Sequence, residues 1–520
     1  MAGRETGSGL TAALNPGTIL VSRAAIAILA AVFLAGLVRL TAHASVALSF
    51  PYAFDYGEGV VWQQMRNIVQ GEGYRAIGIY PAIAYEYPPV FHLCAAGVAR
   101  ITGIDELYAG RLVSLASAIA SALLIARLTA NVLAGEKRRV VVAAATVAGL
   151  AFLTLPLVGE WSLLMRIDLL ACAFSLGGML LAIHAPRSIV ACIAAGLLFT
   201  LALYTRQTSL PAPAGAFLVL LAVRPARAWL MAAVSVGSGL AVLGVLEAMT
   251  QGGFLLNIVS YNINRIIWDH ALAFGTVLLA NVAVIGIALF GLFDSLRLSG
   301  VRRWRDLKAW LATDPKNVAI AVVAATLGCK TLMLPAILKS GASDNYLIDW
   351  FSELAIFFGI AMVPVLRAAL GLHAKPNAIL LGLAGIVLPL QTAGAGLLPD
   401  QGAVHAQQRA LDVIVDRIRQ AKRPVISDDA TLLIRAGQAM RWEPSIIAEL
   451  GSAGRYDEAK FVTLIEERKF GFFVTDGDRG EMVFDQRFNP KVVEVIHIAY
   501  PRRERIGGRV LHLPRHDATP

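Results

Sequence analysis

Eleven apolar stretches recur along this chain, and they restrict its fold more than any motif does. They lie near residues 18–41, 111–134, 140–158, 169–184, 189–204, 209–223, 229–250, 273–293, 317–336, 350–367 and 377–397. About 20 apolar residues in a helix match the ~30 Å hydrocarbon layer of a bilayer. Within that layer a spanning segment has to satisfy its own backbone polar groups, which a helix does. The expected fold is an α-helical polytopic membrane protein with about eleven transmembrane helices. The three spans between 169 and 223 are the shortest.

Charge divides the chain into parts with different solvents. Of 82 charged residues, 45 fall in the first 396 positions and 37 in the last 124. The expected organisation is an N-terminal tail (1–17), a transmembrane domain (18–397) with a long outer first loop (43–110), and a polar C-terminal domain (398–520). The net charge of +10 does not indicate nucleic acid, because the cations sit in short clusters between apolar runs, as topology signals do. With the N-terminus inside, the inner short loops carry 14 Lys and Arg and the outer ones only 4, namely Arg166, Arg206, Arg265 and Lys339. An odd number of spans then places the C-terminal domain outside a bacterial inner membrane. Ala42-His43-Ala44 resembles a signal-peptidase site, but the apolar run before it is long and reads as a signal anchor.

Within the first loop, Val61, Trp62, Met65, Ile68 and Val69 share one helical face and Gln63, Gln64, Arg66 and Asn67 the other, which predicts an interfacial helix. After Tyr87-Pro88-Pro89, the run Val90 to Ile101 is too short to span and should lie at the interface or re-enter. In the C-terminal domain, 424–427, 470–475, 492–500 and 509–513 read as strands and 431–440 and 457–469 as helices, a small α/β layer. No glycine-rich phosphate loop precedes a helix there. Trp442, Tyr456 and Phe488 are aromatic enough to stack on a sugar, but read first as core. The four cysteines have neither a disulfide framework nor zinc-site spacing.

Chemistry concentrates on the outer face. Asp55 and Glu58 lie three residues apart at the mouth of the interfacial helix, where a carboxylate can take a proton from an acceptor hydroxyl, or simply cap the helix. They could also hold one Mg²⁺ or Mn²⁺ loosely, or none. Arg166 and Asp168, Arg206 and Gln207, Arg265, Lys330, and Asp344, Asn345 and Tyr346 gather on the same face. Ionisable groups at that depth are costly and line an aqueous cavity or bind a charged headgroup, and arginine suits phosphate.

These features together resemble the GT-C superfamily of polytopic glycosyltransferases, especially bacterial relatives of the protein mannosyltransferases and of the lipid A aminoarabinose transferase. The resemblance rests on the acidic pair after the first span, the interfacial helix, the Tyr87-Pro88-Pro89 step and Arg111 opening the second span. It continues through Arg166-Ile167-Asp168-Leu169-Leu170, Tyr204-Thr205-Arg206-Gln207-Thr208 and Asp344-Asn345-Tyr346. It implies transfer of a sugar from a polyprenyl-phosphate donor to an envelope glycan, lipid or protein acceptor at the outer face of the membrane. Asp55 or Glu58 would be the base, with Arg166, Arg206 and Lys330 near the donor phosphate. The spacing Asp-x-x-Glu departs from the adjacent Asp-Glu of the mannosyltransferases and leaves open which acid acts. A multi-pass transporter and an envelope polysaccharide polymerase or ligase are the competing readings. No internal repeat supports the transporter.

Overall fold

The computed structural model describes residues 15–515 apart from 79, 263 and 394–397. Most of the expected tail and the end of the last expected span therefore lie outside the described residues. Among the described residues each of the eleven apolar runs is mostly helical, with breaks such as those at 154–155 and at Asn281. The first ten helices are α1 (Pro16–Ala47), α2 (Tyr56–Val69), α3 (Val90–Thr102), α4 (Glu106–Val132), α5 (Arg138–Leu153), α6 (Pro156–Trp161), α7 (Asp168–His184), α8 (Ile189–Thr205), α9 (Pro211–Val223) and α10 (Pro225–Thr250). By length and apolarity, five helical stretches suffice to cross a bilayer: α1, α4, α10, Pro315–Leu338 and Asp344–Ala369. A sixth span is formed if His270–Ala280 and Val282–Arg297, bent by 74°, count as one. At that break Gln391 supplies the missing partners, accepting from the Ala283 amide (3.0 Å) and donating to the Leu279 carbonyl (3.1 Å). The α7, α8 and α9 helices are apolar but only 17, 17 and 13 residues long.

Most of α2, residues 57–65, is covered by protein on both faces. Its apolar face, Val61, Trp62 and Met65, packs on Phe91, Leu107 and Met165, and its polar face is buried too. Gln64 donates to the Ala84 carbonyl (2.8 Å), and Gln63 accepts from the Met440 amide of the C-terminal domain (3.0 Å). The amphipathic pattern reflects two protein neighbours instead of lipid and water. The 13-residue α3 packs on α2 and α4 and leaves Leu93 and Ile101 exposed.

The C-terminal domain is a four-stranded sheet flanked by helices, with strands β1 (Ile426–Ser427), β2 (Phe473–Thr475), β3 (Arg502–Ile506) and β4 (Arg509–Leu513) in the order β1-β2-β4-β3. β1 and β2 are parallel, and β3 and β4 form a hairpin through Gly507 and Gly508, both at positive φ, as a two-residue primed turn demands. The expected strand over 492–500 is instead the helix Pro490–Ala499. Pro490 at its first turn sets the helical φ, and Val492, Val493, Ile496 and Ala499 are buried at helical spacing, so periodicity prevailed over the β preference of valine and isoleucine. Trp442 and Phe488 belong to the domain core. The first loop threads into that core. Ala82 pairs backbone to backbone with Arg441 and Glu443, and Tyr80 stacks on Phe461.

Candidate active site

Asp55 ends the extended segment before α2 and caps that helix by accepting from the Gly57 amide at 2.7 Å. Its carboxylate also takes a 3.1 Å ion pair from Arg166 and remains about one-third exposed. A Cβ on Gly57 would fall 1.4 Å from Arg166 Nη1, so only glycine admits the guanidinium. Arg166 lies against the rings of Trp161 (5.0 Å) and Tyr87 (6.0 Å). Burial opposes its charge, but Tyr87, Asp55, Asp168 and Glu86 outweigh burial and raise its pKa.

Glu58, one helical turn on, has a different setting. Its oxygens accept from Arg111 Nε and Nη2, both at 2.9 Å, and from the amides of Phe54 (2.8 Å) and Met165 (2.7 Å). Arg111 in turn donates to the carbonyls of Ala47, Phe50 and Tyr52. Both side chains are completely buried. The pair staples the first loop to α4, leaving Glu58 and Arg111 no face toward substrate. Asp55 and Glu58 therefore offer no joint metal site, and among the described residues no three His, Cys, Asp or Glu side chains converge to hold an ion.

The Asp55–Arg166 pair stands between two cavities. The larger, 690 Å³, is lined by Asp55, Phe54, Glu160, Trp161 and Asp344 and runs along α1 from Arg39 to Ala47. Asp344 is held there by the Trp161 indole N–H at 2.9 Å. The smaller and more polar cavity, 200 Å³, is lined by Tyr56, Glu86, Tyr87, Arg166, Arg206, Gln207, Asn262, Lys339, Tyr346 and Glu443, among others. Within that lining Arg206 is paired with Asp168 (3.1 Å) and Asp349 (3.8 Å), lies over the Tyr346 ring, and shares Asp168 with the Asn345 amide. Lys330 is locked to Glu353 at 2.7 Å and reaches only a 40 Å³ recess beside Arg206. Arg265 is exposed and lines neither cavity.

The chain superposes on ArnT from Cupriavidus metallidurans bound to undecaprenyl phosphate, with a TM-score of 0.51 at 15% identity, covering 95% of this chain and 99% of that one. The same protein in its apo state gives 0.50 at 13% identity, covering 94% and 97%. ArnT, a lipid A aminoarabinose transferase, is a GT-C protein. The chain shares the fold of this GT-C protein. The apo Archaeoglobus fulgidus oligosaccharyltransferase aligns less well, with a TM-score of 0.46 at 12% identity over 85% of this chain and 69% of that one. No family model and no curated protein sequence matches the chain.

The polar cavity is also lined by residues that the sequence alone did not single out. Glu86 sits inside the Tyr-Glu-Tyr-Pro-Pro step, next to Tyr87. Burial, and then the neighbouring Glu443, raise its pKa to about 8, against the pull of Arg166 and Lys339. Lys339, counted above only as a topology signal, bonds Asn262 beside the polar cavity, and burial lowers its pKa. Glu443 comes from the C-terminal domain, where it caps the helix Pro444–Ser452 and accepts from the Tyr56 hydroxyl. Its pKa, too, is raised by burial. Nothing in the spacing of Glu443 marks it, because only the docking of the two domains brings it next to Tyr56.

Proposed function

We propose that the protein is a membrane glycosyltransferase that moves a sugar from a polyprenyl-phosphate donor to a hydroxyl-bearing envelope acceptor at the outer face of the bacterial inner membrane. The observation that carries this reading is the position of Asp55. One carboxylate opens onto the 690 Å³ cavity, while its ion-pair partner Arg166 lines the separate polar one. Two reactants entering from opposite sides would meet at this pair. The ArnT structure that the chain resembles is bound to undecaprenyl phosphate, which supports the same donor class.

In this reading the polar cavity receives the phosphate and sugar, with Arg166 and Lys339 facing the phosphate oxygens, and the acceptor occupies the larger cavity. Asp55 takes the acceptor hydroxyl proton. The freed oxygen bonds to the anomeric carbon, the carbon–oxygen bond to phosphate breaks, and the cations stabilise the departing charge. A single base on one side predicts inversion at the anomeric carbon, and net retention in the product would rule that course out. Glu58 serves as a fold element in this scheme, Lys330 ties helices together away from the cavity, and Arg206 forms part of its wall, held by Asp168 and Asp349.

The test is the purified protein in detergent with a panel of polyprenyl-phosphate sugars, with and without EDTA, read by donor consumption. Wild type should consume at least one donor and Asp55→Asn should not. Equal turnover by the two proteins would refute the assignment, and the EDTA arm reads metal dependence directly.

A further inference from the structure

We propose that Glu86, carrying its proton, donates a hydrogen bond to the phosphate of the lipid donor in the polar cavity, so that loss of this proton loosens the lipid. The inference rests on the reading of that cavity as the donor site.

Its basis is the way Glu86 is held. The backbone around it is pinned on both sides. The Glu86 carbonyl accepts from Gln207 (2.8 Å) and Asn262 (3.1 Å), the Tyr85 amide donates to Asn257 (3.0 Å), and the Tyr87 carbonyl accepts from the Tyr74 hydroxyl (2.7 Å). The Glu86 carboxyl, by contrast, has no hydrogen-bond or ion-pair partner among the described residues. A side chain aimed by so firm a backbone and left without a partner is available to a ligand. The charged groups around it are Arg166 from the segment before α7, Lys339 from the loop after Leu338, and Glu443 and Glu449 from the C-terminal domain. Burial and then the like charge of Glu443 favour a neutral carboxyl, against the pull of Arg166, which Asp55 already engages, and of Lys339. A neutral carboxyl is an O–H donor, whereas a carboxylate would repel a phosphate. A bound phosphate would itself hold the proton in place.

The experiment measures binding of undecaprenyl phosphate to the full-length protein in detergent between pH 6 and 10, with undecaprenol as the uncharged control. Wild-type Kd should rise about tenfold between pH 7 and pH 9, as a single ionisation near 8 requires. Glu86→Gln, which keeps an N–H donor and cannot ionise, should bind within about threefold of wild type at pH 7 and stay flat to pH 9. Glu86→Ala should bind weakly at every pH. Lys339→Arg removes the titration of the lysine and should retain the wild-type slope. An unchanged slope in Glu86→Gln, or loss of binding by that folded variant at pH 7, overturns the role of the proton while leaving the donor site intact. Wild-type protein that holds undecaprenol as well as undecaprenyl phosphate overturns the donor-site reading and the inference with it.

Discussion

Two acids one helical turn apart illustrate how local surroundings divide labour. Asp55 keeps a third of its side chain open and shares one arginine, whereas Glu58 is saturated by four donors in a closed interior. Asp55→Asn should therefore cost transfer about 10²- to 10⁴-fold while thermal unfolding in detergent changes little. Glu58→Gln should do the reverse, because leaving Arg111 buried and unpaired costs about 3–5 kcal/mol. A lowered melting temperature with near-normal turnover per folded molecule is the expected result, and a catalytically dead, fully stable Glu58→Gln would reverse the assignment. Glu86 predicts a pH dependence of stability. Its pKa is higher in the folded state, so between the unfolded value near 4.5 and about 8 the folded chain binds more protons. Stability then falls as pH rises through that window. Wild-type protein should lose stability relative to Glu86→Gln from pH 5 to 8 and run parallel to it above that range. Parallel curves throughout would show that Glu86 titrates normally.

The α2 helix joins these residues. Its amphipathic pattern was legible as a helix, but periodicity reports only that two faces differ, not what covers each. Lipid and water were the simplest assumption. The structure covers one face with α3 and α4 and the other with the C-terminal domain, because that domain offers backbone amides to Gln63 and a carboxylate to Tyr56. The helix N-terminus is the sensitive point. Gly57→Ala improves helix propensity by about 0.5–1 kcal/mol but displaces Arg166, whose Nη1 occupies the space the methyl group would take. Transfer should fall by about tenfold or more, with a melting temperature at or above that of wild type. Wild-type activity in that variant would mean that Arg166 need not sit beside Asp55. The expected strand over 492–500 carries a related lesson. Valine and isoleucine suit strands, but Asn489-Pro490 and the spacing of the buried residues make it a helix.

For the whole molecule, the C-terminal domain borders the candidate site through Glu443, Ser445 and Ile446. Arg435 clamps Asp105 with two bonds (2.6 and 3.0 Å) and the Pro51 carbonyl (2.8 Å), Tyr52 bonds Asp412, and Glu443 lines the polar cavity. Removing residues 400–520 should abolish transfer and expose α2, measured as lost turnover and faster proteolysis of the first loop. Full activity in the truncated protein would overturn that role. A cysteine at the exposed Lys422 should react with a membrane-impermeant maleimide in intact spheroplasts, and protection until lysis would invert the proposed topology. The sequence by itself determined that the chain is a helical membrane protein with a polar α/β end, because hydropathy over 20 residues and local periodicity are properties of contiguous segments. Its loop charges also led to the expectation that Asp55, Arg166 and Asp344 share one face of the membrane. The tertiary structure alone decided that Asp55 and not Glu58 meets a cavity, that Lys330 is locked to Glu353, and that Glu86, Lys339 and Glu443 share one polar space. Those facts depend on which distant groups satisfy each buried charge, and the partners lie from 23 residues apart, as for Lys330 and Glu353, to 387, as for Tyr56 and Glu443, beyond the reach of any local pattern.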